Sequence, residues 1–384
     1  MKYDFAVFGA TGLQGRIATK DLLWNGYSVM LCGRNEERVE DLLKKHKGKT
    51  GFEHIDAENI NHMASVIKKS GANIVVNCIE GDWNLNVLAA CVKARASCLD
   101  LDTNLEKTKK QFAMDKLFKR KNLISITGCG SVPGIGNVML RYAVPKFDSF
   151  HTIDCGYDWK SNMKKFVVPF SILTIIEEFT NPAAVVKHGR MIKIDPMDSV
   201  TLCYPKAIGK QKCFNDDHQE TYTFYHYYKD KGLKNIKCFA GFPKHSYDRI
   251  KMLIELGLGS KEPINFKGMK IRPVDFLTQV LKRIKVPKDY TEKENLWVHI
   301  YGKKNGKNKV IKMECLIHTL KGWEEDYTNI DTGMPISIIG QMIKKGIIKE
   351  RGAFSPEGVV PPEPFFEELK KRCMHVYENG KLIN

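Results

Sequence analysis

The chain has 384 residues, of which 43% are hydrophobic and 27% charged, and a formal net charge of +17. This composition excludes a disordered segment and is too long for one small core, so two domains are expected. The 11 cysteines include no Cys-x-x-Cys pair, which argues against a zinc ribbon and a disulfide framework and points to buried thiols in a reducing compartment.

No apolar run approaches the roughly 20 residues that span a bilayer, and "MKYDFAVFGA" enters a strand pattern at once without the long apolar region of a signal peptide. The expected location is the cytoplasm, with no membrane partner. The lysines lie beside acids or on helix faces, not interleaved with aromatics, so they read as a solvated surface and no nucleic-acid partner is expected.

In chain order, "KYDFAVFG" reads as a strand and "LQGRIATKDLLWNG" as a helix stopped by Gly26. "YSVMLCG" is a second strand. "NEERVEDLLKKHK" follows as a helix capped by Asn35, with acids first and lysines last. "FEHID", "ANIVVNCIEG", "ASCLDLDT" and "NLISITGCG" supply further strands, separated by helical stretches. Six strands alternating with helices mean βαβ units and a parallel sheet, the size of a full dinucleotide-binding domain. From about 148 to 325 the strand runs are longer and more polar, and Asn-Gly within "KKNGKNK" signals a hairpin. The fold class is therefore α/β: a Rossmann domain over 1–134, an α+β domain with a mostly antiparallel sheet over 135–325, and a helical segment over 326–384 returning to the first domain.

The stretch Gly9-Ala10-Thr11-Gly12-Leu13-Gln14-Gly15 follows a strand and opens a helix. Gly9 permits the tight turn, Gly12 lets the backbone reach a pyrophosphate, and Gly15 lets helix and sheet approach closely. The helix N-terminus offers free N–H groups to a phosphate. After the second strand come Gly33 and Arg34, with no acid until Glu36. A guanidinium there pairs with a 2′-phosphate, so NADP is expected in preference to NAD. Asp56, Asn77, Cys78 and Gly128, at later strand ends, complete the expected cofactor site; no metal site is expected.

Further stretches carry a resemblance. "VVNCIEGDWNLNVLAACVKARASCLDLDT", "ITGCGSVPGIGNVM", "IIEEFTNPAAVVKHGR", "FAGFPKHSYDRIKMLIELG" and the block from "DTGMPISIIGQ" to "PPEPFFEEL" together resemble the saccharopine dehydrogenase-like family over essentially the whole chain. The resemblance implies an NAD(P)-dependent enzyme acting on a CH–NH bond of an amino acid or amine, of the saccharopine reductase or lysine 6-dehydrogenase type. Carboxynorspermidine-type synthesis and a non-catalytic NADP(H) sensor stand as alternatives. It also implies a homodimer and a cleft between the two domains.

Asp100, Asp102 and Thr103 end the fifth strand. Two carboxylates at i and i+2 point the same way from a strand, so one of them is expected to hold the substrate amine or relay its proton. The Pro-Gly turn before Asn137 offers a helix N-terminus to a substrate carboxylate. By the resemblance, Cys155 faces substrate as a packing or hydrogen-bonding wall. Glu177 and Glu178 are candidates for a distal amine, and His245 for acid/base work. The chain departs from saccharopine reductases at Val132 and Gly136, where acids are expected, in "DTN", where a Tyr is expected, and at Cys238, where an Arg is expected. Lys237, Lys244, His245 and Arg249 are candidate replacements for the lost carboxylate-binding groups.

Overall fold

The computed structural model describes residues 2–168, 171–197, 200–203 and 208–384. Strands β1 (Phe5–Phe8), β2 (Val29–Gly33), β3 (Thr50–His54), β4 (Ile74–Asn77), β5 (Ser97–Asp100) and β6 (Ile124–Ile126) form a parallel sheet in the order β6-β5-β4-β1-β2-β3. β1 is "FAVF", buried at every position. Such a run fits a strand covered on both faces. Phe5 and Val7 face a core shared with Ile17, Leu22, Met334 and Ile338. Ala6 and Phe8 face a second core with Met63, Ile67, Val87 and Leu88. The strand order reverses between β1 and β4, and the carboxyl ends of those strands are where a ligand crevice opens in such sheets.

The helix expected after β2 is shorter than its pattern suggests. Glu36–Val39 forms a 3₁₀ turn and only Glu40–Lys45 is α-helical, although Asn35 does cap the turn through Glu37 N. Val39 and Leu42 are the only residues from Glu36 to Lys45 that are buried, so little packing extends the helix.

The second sheet is built on β7 (Ser149–Ser161), with β8 (Ala183–Lys187), β9 (Arg190–Ile194), β10 (Val200–Cys203), β11 (Lys210–Asn215) and β12 (Asn235–Phe242). A small separate hairpin, β13 (Ile264–Phe266) and β14 (Met269–Ile271), precedes the long pair β15 (Glu292–Lys304) and β16 (Lys307–His318). Among the described residues all pairings in this sheet are antiparallel except β12 with β7, where Cys238 lies opposite Cys155. Asn305 and Gly306 turn β15 into β16 with φ of 50° and 73°, as the Asn-Gly signal requires.

The C-terminal segment differs from its sequence reading in two respects. The helix Ile330–Lys344 packs on the helix Leu13–Trp24, but it is followed by β17 (Gly352–Phe354), which pairs with β6 and makes the first sheet seven-stranded. The chain then leaves that sheet. β18 (His375–Glu378) and β19 (Lys381–Leu382) extend the second sheet from β16. The segment thus joins both sheets. A buried knot fixes it: Asp21 accepts from Arg372 Nε at 2.7 Å and Nη2 at 2.9 Å, from Ser337 Oγ at 2.6 Å and from Gln341 Nε2 at 3.1 Å.

Candidate active site

The glycine cradle has the geometry its spacing implies. Gly9 takes φ +79°, and a Cβ there would lie 2.7 Å from the Cys78 carbonyl. At Gly15 a Cβ would lie 2.2 Å from the Gly9 carbonyl, so only glycine lets the helix start this close to the turn. Gly12 is the N-cap of the helix Leu13–Trp24 and supplies no side-chain acceptor. The first N–H groups therefore point at the crevice without an internal cap, and an anion fits there. Thr11 lies against Gly33 at the end of β2. Leu13 and Arg34 are exposed beside the turn, while Gln14 Nε2 donates to Asn329 at 3.4 Å. These residues fit a bound dinucleotide.

Other expected cofactor residues have local partners. Asp56 is exposed and accepts from Glu58 N at 3.0 Å. Asn77 is buried; it donates to Asn84 at 2.7 Å and accepts from Ile79 N at 3.1 Å, which shapes the loop after β4. Cys78 lies at the crevice, with burial pushing its thiol pKa up to about 12. Gly128 does not face open space: a Cβ there would meet Gln219 Nε2 at 1.8 Å and the Pro133 ring.

The structure corrects the reading of Asp100. It is 1% exposed, and its oxygens accept from Thr127 Oγ1 at 2.8 Å, Asp102 N at 3.0 Å and Gln111 Nε2 at 3.0 Å. Burial, with Asp102 adding repulsion, raises its pKa to about 6. Asp100 is an internal tie between β5, β6 and the following helix, not a substrate carboxylate. The i, i+2 argument fails because β5 ends at Asp100, so Asp102 is no longer on a strand. Asp102 instead accepts from Asn104 N at 2.8 Å and lies 3.7 Å from Lys107 Nζ; Thr103 beside it is half-buried.

Asn137 is likewise structural. It accepts from Gly134 N at 2.8 Å at the start of its own helix and donates to Glu357 at 2.8 Å. Lys244 is exposed and pairs with Asp248 one turn on; His245, half-buried, has Ser246 Oγ at 3.1 Å from Nδ1. Burial lowers the His245 pKa. Glu177 is paired with Lys261 at 2.6 Å on the surface.

Cys155 and Cys238 form one wall, with their sulfurs 3.3 Å apart and both side chains buried. The Cys238 thiol and burial hold the Cys155 pKa well above the ordinary thiol range. A neutral thiol is a packing surface, not a nucleophile. Cys238 stands where the resemblance places an Arg, so this wall carries no guanidinium.

Next to it lies a cluster absent from the sequence reading except for Glu178. Glu178, on the helix Ile172–Thr180, accepts from Tyr157 OH at 2.9 Å. Asp216 and His218 follow β11, with Asp216 Oδ2 3.0 Å from His218 Nε2. One ligand atom from each of Glu178, Asp216 and His218 lies within 4.8 Å of the others. Glu220, fully buried, brings Oε2 to 3.6 Å from His218 Nδ1. Burial pulls the imidazole pKa down, but Asp216 and Glu220 outweigh it and hold it well above the ordinary value. Burial, then Asp216, pushes the Glu178 pKa well up. The run "NDDHQE" straight after an apolar strand was the available signal; nothing in it announces that Glu178 packs alongside.

The two domains meet beside this cluster. Gln219 forms a hydrogen bond with Thr108 and lies against Gly128, both on the parallel-sheet side. Thr174 Oγ1 reaches Glu80, in the loop after β4, at 3.4 Å. A cavity of about 460 Å³ opens between Glu80, Ile172, Leu173, Leu281 and Lys282, a volume suited to a small molecule.

Comparison with known proteins agrees with this arrangement. Residues 5–126 match the saccharopine dehydrogenase NADP-binding domain model and residues 130–374 the saccharopine dehydrogenase C-terminal domain model. A carboxyaminopropylagmatine dehydrogenase from Synechocystis sp. is 24% identical, the match covering 97% of each chain. A carboxynorspermidine synthase from Vibrio cholerae is 23% identical over 89% of this chain and 88% of its own. The apo saccharopine dehydrogenase (L-Glu forming) of Saccharomyces cerevisiae has the same fold, with a TM-score of 0.75, 13% identity and full coverage of both chains. No helix among the described residues is long and apolar enough to cross a membrane. The NADP-binding model covers the parallel sheet with its glycine cradle and the C-terminal model covers the second sheet, and the chain is an NAD(P)-dependent dehydrogenase belonging to the saccharopine dehydrogenase family.

Proposed function

We propose that the enzyme is an NADP(H)-linked reductase that joins an amine to a carboxylate-bearing aldehyde through an imine, of the carboxynorspermidine or carboxyaminopropylagmatine type. Saccharopine reductase or lysine 6-dehydrogenase chemistry ranks behind it. The observation that carries this order is the neutral Cys155–Cys238 wall, which lacks the guanidinium expected for a second substrate carboxylate. Two curated relatives that align along nearly the whole chain carry polyamine-type names, which supports the same order.

The bound dinucleotide supplies the hydride. The chain's residues position and exclude. In this reading Gly9, Gly12 and Gly15 admit the pyrophosphate, and the guanidinium of Arg34, exposed directly after β2, pairs with the 2′-phosphate. Closure of the Gln219–Thr108 seam keeps water from the imine, which water otherwise hydrolyses. Asp102, half-buried two residues after β5, is the carboxylate we assign to exchange a proton with the substrate nitrogen.

The test follows absorbance at 340 nm. NADPH or NADH is combined with an amino-acid semialdehyde and a panel of amines: 1,3-diaminopropane, agmatine, lysine and glutamate. The expected result is NADPH consumption with the diamine or agmatine, and little with glutamate. Turnover with glutamate alone restores the saccharopine assignment. Silence with every amine, alongside tight NADPH binding, overturns the enzymatic reading in favour of a sensor.

A further inference from the structure

The acidic cluster beside the thiol wall is short of positive charge. Three carboxylates, Glu178, Asp216 and Glu220, surround one imidazole, and all four side chains are at most 9% exposed. Burying carboxylates without enough counter-charge is costly, so such groups either hold a proton or take a cationic partner. A second observation points to a ligand. Glu220 is 0% exposed, and among the described residues neither of its carboxylate oxygens has a hydrogen-bond partner. His218 Nδ1 is 3.6 Å away, beyond hydrogen-bond length.

The remaining contacts hold the group in place. Tyr157 OH anchors Glu178, and the Tyr157 ring stacks on the His218 ring with centroids 6.4 Å apart. Asp216 Oδ2 lies 3.0 Å from His218 Nε2 without a hydrogen bond between them, and Glu220 faces the other ring nitrogen, so this imidazole sits as a spacer between carboxylates. An organic cation brings several N–H donors to the carboxylates, whereas a metal held by Glu178, Asp216 and His218 would leave Glu220 without a donor. The cluster is also well placed for substrate. Thr221, one residue beyond Glu220, lies 3.7 Å from the Cys238 sulfur, and Gln219, one residue before it, closes the seam between the domains.

We infer that Glu178, Asp216 and Glu220, spaced by His218, form a subsite for the remote cationic group of the amine substrate, a primary ammonium or a guanidinium. This rests on the proposed amine-reductase reading and adds the residues that select amines by their second charge. A monoamine of the same length leaves the carboxylates unpaired and binds more weakly.

The test is equilibrium binding by calorimetry to NADPH-loaded enzyme, with 1,3-diaminopropane, agmatine and propylamine as probes. Wild type is expected to bind a dication about 10- to 100-fold more tightly than propylamine, the range for a hydrogen bond to a charged group. Glu178→Gln and Glu220→Gln are each expected to erase most of that preference. Glu177→Gln, on the same helix but at the surface, is expected to keep it. If Glu178→Gln fails to fold, Glu220→Gln carries the test. The relative affinity of diaminopropane and agmatine tells ammonium from guanidinium. Equal binding of propylamine and both dications by wild type, or a preference that survives both substitutions, overturns the inference. Turnover of amines with an unchanged dication preference in the variants removes the subsite but keeps the enzyme reading. Dication preference lost in the variants, with no turnover of any amine, keeps the subsite and removes the enzyme reading.

Discussion

The two sheets solve the problem of a binding site in different ways. The parallel sheet builds its crevice from backbone: glycines at residues 9, 12 and 15 remove side chains so that the turn and helix start can approach an anion. The second sheet builds with side chains. Glu178 comes from one helix and Asp216, His218 and Glu220 from the run after β11, held by Tyr157 and by one another. The backbone site gives a cofactor cradle tolerant of changes nearby but intolerant of a single added carbon. The side-chain site gives specificity that a charge-neutral substitution can change without moving the chain.

Substitutions separate the two designs. The largest effect is expected outside both. Arg372→Ala leaves Asp21, 1% exposed, without its cation and costs about 3–5 kcal/mol in denaturant melts. A cost under about 1 kcal/mol would mean that Ser337 and Gln341 alone hold Asp21. Next, Gly15→Ala sets a Cβ 2.2 Å from the Gly9 carbonyl and is expected to cost about 3 kcal/mol even without cofactor. Gly12→Ala, whose Cβ lies 3.3 Å from the same carbonyl, is expected to leave the free enzyme nearly as stable while weakening NADPH binding. Equal thermal stability of the two variants would break the backbone account of the cradle.

Asp100 supplies a pH test. Its pKa is raised from 3.8 to about 6, so the native state binds this proton more tightly than the unfolded chain. The stability this gives is present below the unfolded pKa and is lost as pH rises through about 6. Asp100→Asn removes that dependence. The stability difference between variant and wild type is therefore expected to move by about 2.4 kcal/mol in favour of Asn between pH 4 and pH 7. A difference independent of pH would place the carboxylate in water. The smallest effect belongs to Arg34→Ala, expected to weaken NADPH roughly 10- to 100-fold and NADH less than about threefold. Equal losses would deny Arg34 any role in choosing the phosphate.

The backbone-built region was legible because its information is local. The glycine triad sits within seven consecutive residues, and Asn305-Gly306 marks its hairpin alone. β17 was not legible, since three residues of "GAF" carry no period and gain their strand only by meeting β6. Glu177 and Glu178 looked alike in sequence. Packing alone turned Glu178 inward and left Glu177 to Lys261. Asp100 was paired with Asp102 as crevice-facing because a strand end cannot be placed to one residue from pattern. The acidic cluster was hidden for a related reason: its members lie 38 to 42 residues from Glu178 along the chain, and no periodicity links them.

β17 also bears on how the protein is made. Synthesis releases the parallel sheet's first six strands early, but its last strand is Gly352–Phe354, and one face is covered by the helix Ile330–Lys344. Until those residues leave the ribosome, β6 is an unpaired edge and the apolar face of β1 and β5 lacks its cover. The cofactor domain, first in sequence, is therefore among the last parts to be finished. A nascent chain stalled before residue 330 presents an open edge to its neighbours, and one released after residue 354 can close it.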